Sequence, residues 1–398
     1  MIPIYEADRL EDLPLFDRPP QAEEDVDAAV AAILADVRTR GDEALREYTR
    51  RFDGADLERF EVTAEELRAA WDCVDGNFRE TLRQAADNIR HFHEAQVHRD
   101  FCLTDRPGVV LGHEFAGVVE AVGNGISNLR PGDRVAACCE SFCGDCWFCR
   151  RGYVNNCIHG GWELGCRIDG CQAEYVRVPF ADTGLTPIPD ALSDEDALFV
   201  GDILASGYWG AELCAFQPGD TAVVLGLGPV GLCAAECAAL LGAAHVIGVE
   251  PDPWRRRMAL EQGLVALALN PVDPELESAV AAATEGRGAD GVIECAGGRD
   301  SFQAAWRLAR PNGTVALVAM YEENQTLPLP AMYGKNLVFK TGGVNASRGP
   351  ELVSLLAQGK LRTDFLITHR GPLSEILEGY RVFGAHEEHC LKWVVTPG

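Results

Sequence analysis

The segment Thr221-Ala-Val-Val-Leu225 is followed directly by Gly226-Leu-Gly228-Pro229-Val230-Gly231 and then by an alanine- and leucine-rich stretch from Leu232 to Leu241. This order predicts a buried strand, a glycine-rich turn and a helix. The first glycine permits the turn, the second lets the backbone approach a pyrophosphate, and the third lets helix and strand pack closely. The phosphates would lie at the helix N-terminus, where free N–H groups bind anions. We therefore predict a dinucleotide-binding α/β domain.

A second apolar stretch, His245-Val-Ile-Gly-Val249, ends in Glu250. A carboxylate about twenty residues beyond the glycines can accept both ribose hydroxyls, and it would repel a 2′-phosphate. The sequence therefore favours NAD over NADP. The run Arg255-Arg-Arg257 fits a solvated helix face, but it could also hold a 2′-phosphate. The predicted cofactor-binding residues are Gly226, Gly228, Pro229, Val230, Gly231 and Glu250.

Four cysteines follow a C-x2-C-x2-C-x7-C spacing, namely Cys143, Cys146, Cys149 and Cys157. Four thiolates this close together can enclose one Zn²⁺ tetrahedrally and leave no open position. Such a closed site holds a loop in shape and does no chemistry. We predict one structural zinc ion here, while the neighbouring Cys138 and Cys139 are expected to be ordinary buried thiols.

The chain has 398 residues, of which 47% are hydrophobic, and a formal net charge of −26. This length is enough for two or three domains. The acidic balance repels nucleic acid and anionic membranes, so neither is expected as a partner. No long uncharged apolar run and no basic leader are present, which predicts a cytoplasmic protein. The 15 cysteines are accordingly expected to be reduced thiols.

The pattern of the chain changes near residue 107. Before it, amphipathic periodicity predicts helices over 25–52, broken at Gly41, and over 63–98. After it, short apolar stretches between turns predict a small barrel or sandwich. From about 199 to 331, strands alternate with helices, which is typical of a parallel α/β sheet. The strands of the small barrel are predicted at 109–111, 117–119, 134–136 and 175–178.

The segment Gly112-His113-Glu114 precedes the cysteine loop. With the glycine-rich turn, these motifs resemble the zinc-dependent medium-chain alcohol dehydrogenase family over about residues 98–398, and most of all its formaldehyde dehydrogenase-like and secondary-alcohol branch. The resemblance implies an α/β protein with a GroES-like β-rich catalytic domain, truncated at its start, and a Rossmann doubly wound parallel sheet. Further matching segments are Pro131-Gly-Asp-Arg-Val135, Pro218-Gly-Asp220, Leu366-Ile-Thr-His-Arg370 and Lys392-Trp-Val-Val395.

The resemblance also implies a catalytic zinc ion on His113 and Asp202, with Glu114 beside it as an acid or transient ligand. Its open position would bind an alcohol oxygen as alkoxide, and a hydride would pass to NAD. The family's remaining ligand, a cysteine in a Cys-Gly-Ser/Thr-Asp motif, is missing from this sequence. An ungapped comparison places His93 at that position, and Cys102 lies nearby. Whether either residue replaces the cysteine stays open, and this zinc ion is expected to be weakly bound or absent.

Residues 1–96 resemble another family, histidinol dehydrogenase, in its helical N-terminal region. The resemblance rests on residues 31–54 and 86–96. The zinc ligands and the catalytic Glu-His pair of that enzyme have no counterpart here. The chain is therefore predicted to join parts of two dehydrogenases near residue 97. The predicted domains are a helical segment over 1–97, a zinc-binding GroES-like domain over 98–198, a Rossmann NAD-binding domain over 199–331 and a return to the catalytic domain over 332–398.

Three functions stay open from the sequence. The leading one is an NAD- and zinc-dependent alcohol dehydrogenase that acts on a small alcohol or aldehyde as a homo-oligomer of two or four chains. The second is a protein that binds NAD and structural zinc without turnover. The third is a histidinol dehydrogenase, which the missing catalytic half opposes. The zinc content per chain separates the first two, because an enzyme of this family would bind two ions and the binding protein one.

Overall fold

The computed structural model describes residues 21–57, 59–96, 108–385 and 387–397. The chain divides into two compact units, Met1–Arg99 and Asp100–Gly398. Within the described ranges, none of the helices combines the length and the apolar character that crossing a bilayer demands.

The described part of the first unit is helical, as the sequence predicts. Gly41 has a φ of +56°, a value that favours glycine, and it separates the first two helices. The third helix begins with a capping box, in which the Thr63 hydroxyl accepts from the Glu66 N–H and the Glu66 carboxylate accepts from the Thr63 N–H. The helices are α1 Gln21–Arg40, α2 Asp42–Phe52, α3 Ala64–Cys73 and α4 Gly76–Gln96.

The second unit contains the strands and the remaining helices. Its strands are β1 Ala116–Val118, β2 Arg134–Ala137, β3 Leu185–Pro187, β4 Asp220–Leu225, β5 Ala243–Val249, β6 Leu267–Leu269, β7 Ala289–Glu294, β8 Ala309–Leu317, β9 Val338–Thr341, β10 Ile367–Pro372 and β11 Lys392–Thr396. Its helices are α5 Ala181–Gly184, α6 Asp194–Ala197, α7 Ile203–Cys214, α8 Pro229–Leu240, α9 Pro253–Glu261, α10 Leu276–Ala283, α11 Arg299–Leu308, α12 Leu329–Met332, α13 Gly349–Ala357 and α14 Ile376–Gly384.

The larger sheet is parallel throughout and has the strand order β6-β5-β4-β7-β8-β9. This is the doubly wound order in which dinucleotides bind outside the carboxyl ends of the two central strands, where the strand order reverses. Strand β4 lies in the middle, and Val223 and Val224 are fully buried there. A parallel strand covered on both faces needs such an unbroken apolar run. The predicted Rossmann sheet is confirmed.

The β-rich part is smaller than the sequence patterns suggest. Strands β1, β2 and β3 form an antiparallel sheet, and β10 and β11 form a separate parallel pair. The predicted strands at 109–111 and 175–178 are wrong, because neither stretch is a strand in the structure. The carbonyls of Val110 and Leu111 accept hydrogen bonds from the loop at 170–172, but Gly112, at a φ of +98°, turns the chain before a ladder can form.

Glu236 on helix α8 is a partly buried carboxylate, and its titration should make the stability of the fold depend on pH. Oε1 of Glu236 accepts the N–H of Arg362 at 3.0 Å, and Oε2 is buried without a partner in the described residues. Burial raises the pKa of Glu236 from 4.5 to about 7. Between these values the folded state binds more protons than the unfolded state, so stability falls as pH rises.

Glu236→Gln is therefore expected to stabilise the protein more at about pH 8 than at about pH 5. The difference between its effects on the free energy of unfolding should be on the order of 1–3 kcal/mol. Urea unfolding at the two pH values measures this difference. An equal effect of the substitution at both pH values would show that Glu236 does not titrate in this window.

Candidate functional site

The glycine-rich turn joins β4 to α8 at the carboxyl edge of the parallel sheet. Gly226 has a φ of +87°, and a Cβ on Gly231 would overlap the carbonyl oxygen of Gly226. Gly228 precedes the helix, and Pro229 lies in its first turn, where its missing N–H is not needed. Val230 and Gly231 continue that turn. The local structure predicted for this segment is confirmed, and its free amides lie where phosphates bind in such folds.

Glu250 lies directly after β5, beside the glycine-rich turn, and only 4% of it is exposed. Its Oε2 accepts the N–H of Leu227 at 2.7 Å, and its Oε1 accepts the N–H of Asp252 at 3.0 Å. The carboxylate thereby ties the turn to the start of α9. Nη1 of Arg255 lies 3.8 Å from the position that a Cβ on Gly228 would take. A carboxylate and a guanidinium therefore both lie next to the turn.

The four cysteines of the predicted zinc site come together in one lobe. Their Sγ atoms all lie within 4.8 Å of one another, with 3.4 Å between Cys146 and Cys149 and 3.6 Å between Cys143 and Cys157. Four thiolates at about 2.3 Å from a zinc ion would be about 3.8 Å apart. Backbone N–H groups donate to these sulfurs, including that of Cys146 to Cys143 Sγ and that of Cys143 to Cys157 Sγ. The donor set and its spacing fit zinc.

The charge of the lobe also fits a cation. Hydrogen bonds from backbone N–H groups, notably that of Cys149, lower the pKa of Cys146 to about 6. Burial, and the neighbouring Cys146 sulfur, raise the pKa of Cys149 to about 12. Backbone N–H groups therefore favour a thiolate at Cys146, and burial opposes one at Cys149. The thiolate is the form that binds metal, and a zinc ion would stabilise it at both positions.

Two asparagines connect the lobe to the parallel sheet. Nδ2 of Asn155 donates to the carbonyl of Gly343 at 2.8 Å, and Nδ2 of Asn345 donates to the carbonyl of Gly152 at 2.6 Å. Gly343 and Asn345 follow β9 at the carboxyl edge of the sheet. The metal lobe and this edge are therefore joined by reciprocal hydrogen bonds.

His113 and Asp202 form a pair near the start of β1 and at the N-terminus of α7. Nε2 of His113 lies 2.8 Å from Oδ2 of Asp202, and an ionised carboxylate can only accept, so the ring nitrogen donates. Burial raises the pKa of Asp202, but the hydrogen bond and charge of His113 outweigh burial and lower it. The structure thus brings together two of the predicted site residues, which lie far apart in the sequence.

Glu114 is turned toward a different partner. Its Oε2 lies 2.5 Å from Nζ of Lys392 on β11, and its Oε1 accepts the N–H of Ile203 at 3.2 Å. Burial raises the pKa of Glu114, and the Lys392 ammonium opposes that rise. The carboxylate in turn raises the pKa of Lys392 against the effect of burial. Glu114 is therefore ion-paired beside the His113–Asp202 pair.

A cavity of about 1310 Å³ opens beside these groups. His113, Asp202 and Lys392 lie on its wall with Trp162, whose ring centroid is 4.5 Å from that of His113. The stretch 172–178, which forms no strand, lines it as well. The volume exceeds that of an ordinary small-molecule site, about 300–1,000 Å³. An enlarged cavity is expected if the barrel lacks its opening strands, as the sequence predicts.

The residues at this cavity do not complete a catalytic zinc site. Within the described ranges, only the four cysteines form a group of three or more His, Cys, Asp or Glu side chains with ligand atoms that close together. His113 and Asp202 fit as two ligands, whereas catalytic zinc normally has three. Cys102 and the side chain of His93 lie outside the described residues. The second zinc site is thus short of one ligand in the described part of the chain.

The sequence patterns do not single out two residues at this site. Lys392 lies in a segment that matches the family, but its ion pair with Glu114 spans 278 positions. Trp162 carries no local motif, and only the fold brings its ring against that of His113.

Three family models match the chain. The alcohol dehydrogenase GroES-like domain matches residues 86–190, and the zinc-binding dehydrogenase family matches residues 229–358. Histidinol dehydrogenase matches residues 16–127, which confirms the predicted N-terminal resemblance. The first and third matches overlap over 86–127, around the predicted junction of the two segments.

Individual relatives support the same family. An alcohol dehydrogenase of Cupriavidus necator is 33% identical over 314 residues, which cover 73% of this chain and 84% of that protein. The NADP-dependent isopropanol dehydrogenase of Thermoanaerobacter brockii is 32% identical over 285 residues, which cover 69% of this chain and 81% of that protein. The solved structure of an alcohol dehydrogenase from Thermus sp. ATN1 is 37% identical, has a TM-score of 0.68, and covers 74% of this chain and 85% of that one.

The chain therefore belongs to the zinc-dependent alcohol dehydrogenase family. The predicted class, an oxidoreductase with a GroES-like domain and a Rossmann domain, is confirmed. Its cofactors are zinc and a nicotinamide dinucleotide, and its substrates are small molecules.

Proposed function

We propose that the protein oxidises a small alcohol to an aldehyde or ketone with NAD, and catalyses the reverse reaction. The carbon that bears the hydroxyl gives a hydride to the nicotinamide, and the hydroxyl releases a proton, so that alcohol and NAD⁺ yield a carbonyl compound, NADH and H⁺. The observation that carries the proposal is the His113–Asp202 pair, which lines a cavity in the same unit as the glycine-rich turn.

The proposed roles divide between two sides of the cleft. On the cofactor side, Gly226, Gly228, Pro229, Val230 and Gly231 hold the pyrophosphate, and Glu250 holds the adenosine ribose. On the substrate side, His113 and Asp202 lie nearest the reacting oxygen. The Glu114–Lys392 ion pair fixes the start of β1 against β11 and thereby orients His113. Cys143, Cys146, Cys149 and Cys157 hold the structural zinc ion.

The domain boundaries at residues 97, 198 and 331 are part of the proposal. The proposal also includes a homo-oligomer of two or four chains. Light scattering on the purified protein measures its mass in solution and hence the number of chains.

Alcohol-dependent formation of NADH tests the proposed reaction. A panel of primary and secondary alcohols is mixed with NAD, and NADH absorbance is followed. We expect slow but alcohol-dependent NADH formation. Tight NAD binding without turnover of any alcohol, at saturating zinc, would instead identify a dinucleotide-binding protein without dehydrogenase activity.

Cofactor choice should depend on Glu250. We expect NAD to bind more tightly than NADP, because a 2′-phosphate would meet the buried carboxylate. Glu250→Ala should narrow the ratio of the two dissociation constants by about tenfold, or about 1.4 kcal/mol. Titration of each dinucleotide by intrinsic fluorescence measures both constants.

Glu261→Ala is the matched control, because Glu261 is an exposed carboxylate at the end of the following helix. It should leave the ratio unchanged. A preference for NADP in the unaltered protein would mean that Arg255 and its neighbours, rather than Glu250, control the site.

A further inference from the structure

The cavity beside His113 and Asp202 has a wall that is largely apolar away from these two residues. Of the large apolar side chains on it, Val118 is 63% exposed, Leu111 42% and Val122 38%. Apolar side chains that face open space in this way are favourably covered by an apolar body. The volume of about 1310 Å³ leaves room for a ligand far larger than ethanol. Val119, Ile126, Val176, Val178 and Val394 also line the cavity.

Strand β11 shows how the polarity of the wall changes along the cavity. Lys392, at the start of the strand, is ion-paired with Glu114 beside the His113–Asp202 pair. Val395 lies three positions later on the same wall. At about 3.3 Å per residue, the wall passes from charged to apolar within about 10 Å. The cavity is therefore polar at one end and apolar beyond it.

The remaining charged side chains on the wall are exposed. They belong to Glu120, Glu174 and Arg177, and their charged groups can therefore stay in water while the apolar wall is covered. Nε2 of Gln172 donates to the hydroxyl of Tyr380 at 2.6 Å, so these two polar groups on the wall bind each other. A ligand with one polar group and a large apolar body complements this wall.

We infer that, among small-molecule alcohols, the preferred substrate is one that carries a large apolar group, as 1-decanol does. The inference rests on the proposed function, which places the hydroxyl at the His113–Asp202 pair. The apolar group then extends along the wall and covers the exposed side chains of Val118 and Val122. A short alcohol reaches the same reacting groups but leaves this wall in water, so it binds more weakly.

Calorimetric titration with a series of alcohols tests the inference. The full-length protein is saturated with NADH, to which an alcohol cannot pass a hydride, and is titrated with 1-butanol, 1-hexanol, 1-octanol and 1-decanol. Each added methylene should lower Kd about threefold to fourfold, because it buries further apolar surface. 1,8-Octanediol places a second hydroxyl against the apolar wall and should bind at least tenfold more weakly than 1-octanol. Equal affinities across the series, or no binding of any member, would overturn the inference.

A charge on the apolar wall tests where the apolar group lies. Val122 lies outside the strands and helices, so Val122→Asp should leave the fold intact and weaken 1-decanol binding at least tenfold. Val272→Asp is the matched control, because Val272 is 79% exposed, follows β6 and does not line the cavity. It should leave Kd unchanged, and an unaltered circular dichroism spectrum and Tm show that each variant is folded. Equal 1-decanol affinity of Val122→Asp and the wild type would contradict the inference.

Steady-state kinetics with NAD separate the inference from the proposed function. A kcat/KM that rises from 1-butanol to 1-decanol would support both. Alcohol-dependent NADH formation with the same Kd and kcat/KM for every chain length would keep the proposed function and reject the inference. Chain-length-dependent binding without NADH formation would support the cavity as a site for apolar alcohols and reject the proposed reaction.

Discussion

Replacing Cys146 with serine is expected to release the zinc ion of the cysteine lobe and to destabilise the second unit. A serine hydroxyl stays protonated at neutral pH and cannot replace a thiolate, and the binding energy of a structural zinc ion contributes directly to folding. We expect the zinc content to fall by about one ion per chain and the Tm to fall by roughly 5–10 °C. Metal analysis by atomic emission and differential scanning calorimetry measure the two quantities.

Cys214→Ser is the matched control. Cys214 is buried, with 9% of its surface exposed, which is the same fraction as for Cys146. It lies on α7, outside the lobe. The Cys214→Ser protein should keep the zinc ion of the lobe, and its Tm should fall far less than that of the Cys146→Ser protein. A Cys146→Ser protein with full zinc content and an unchanged Tm would rule out the structural zinc site.

Dialysed wild-type protein is expected to keep about one zinc ion per chain and to turn over simple alcohols slowly. Only His113 and Asp202 are proposed as ligands at the second site in the described part of the chain, and Glu114 is held by Lys392. Changes in the second coordination shell of zinc enzymes lower activity by about 10–100-fold, so loss of a direct thiolate ligand should lower kcat by on the order of 100-fold or more. Zinc analysis and steady-state kinetics, with and without added zinc, check both expectations.

His93→Ala separates the possible sources of a replacement ligand. If His93 is a helix residue inherited from the N-terminal segment, this substitution changes neither zinc content nor kcat. Two tightly bound zinc ions per chain with robust turnover, both abolished by His93→Ala, would show that the helical segment supplies the ligand.

The fold could be predicted from the sequence wherever one local segment contains both a strand and the elements that pack against it. Residues 221–231 contain a strand, its turn and the start of its helix, and the structure forms β4 and α8 from them. The stretches 109–111 and 175–178 are as apolar as real strands, yet they lack strand partners in the described residues. A strand needs a neighbour for its N–H and C=O groups, and the described residues supply none beside these two stretches. Local apolar content therefore led to a wrong prediction.

The residues of a site could be predicted from the sequence when they lie close together in the chain. All four cysteines come from one short loop, so their spacing was sufficient to group them. His113 and Asp202 are 89 positions apart, and only the family resemblance connected them. The role of Lys392 depends on which segments meet in the folded unit, which no spacing rule encodes. Its burial and its ion pair with Glu114, rather than a motif, identify it.

The reciprocal hydrogen bonds made by Asn155 and Asn345 have a thermodynamic consequence. They join the metal lobe to the loop after β9, at the edge of the sheet where the dinucleotide is proposed to bind. If zinc in the lobe changes the affinity for the dinucleotide through this connection, the dinucleotide changes the affinity for zinc by the same factor, because the coupling free energy is common to both. A chain made under zinc starvation would then bind its dinucleotide more weakly, and a cell rich in dinucleotide would help the lobe to retain its metal.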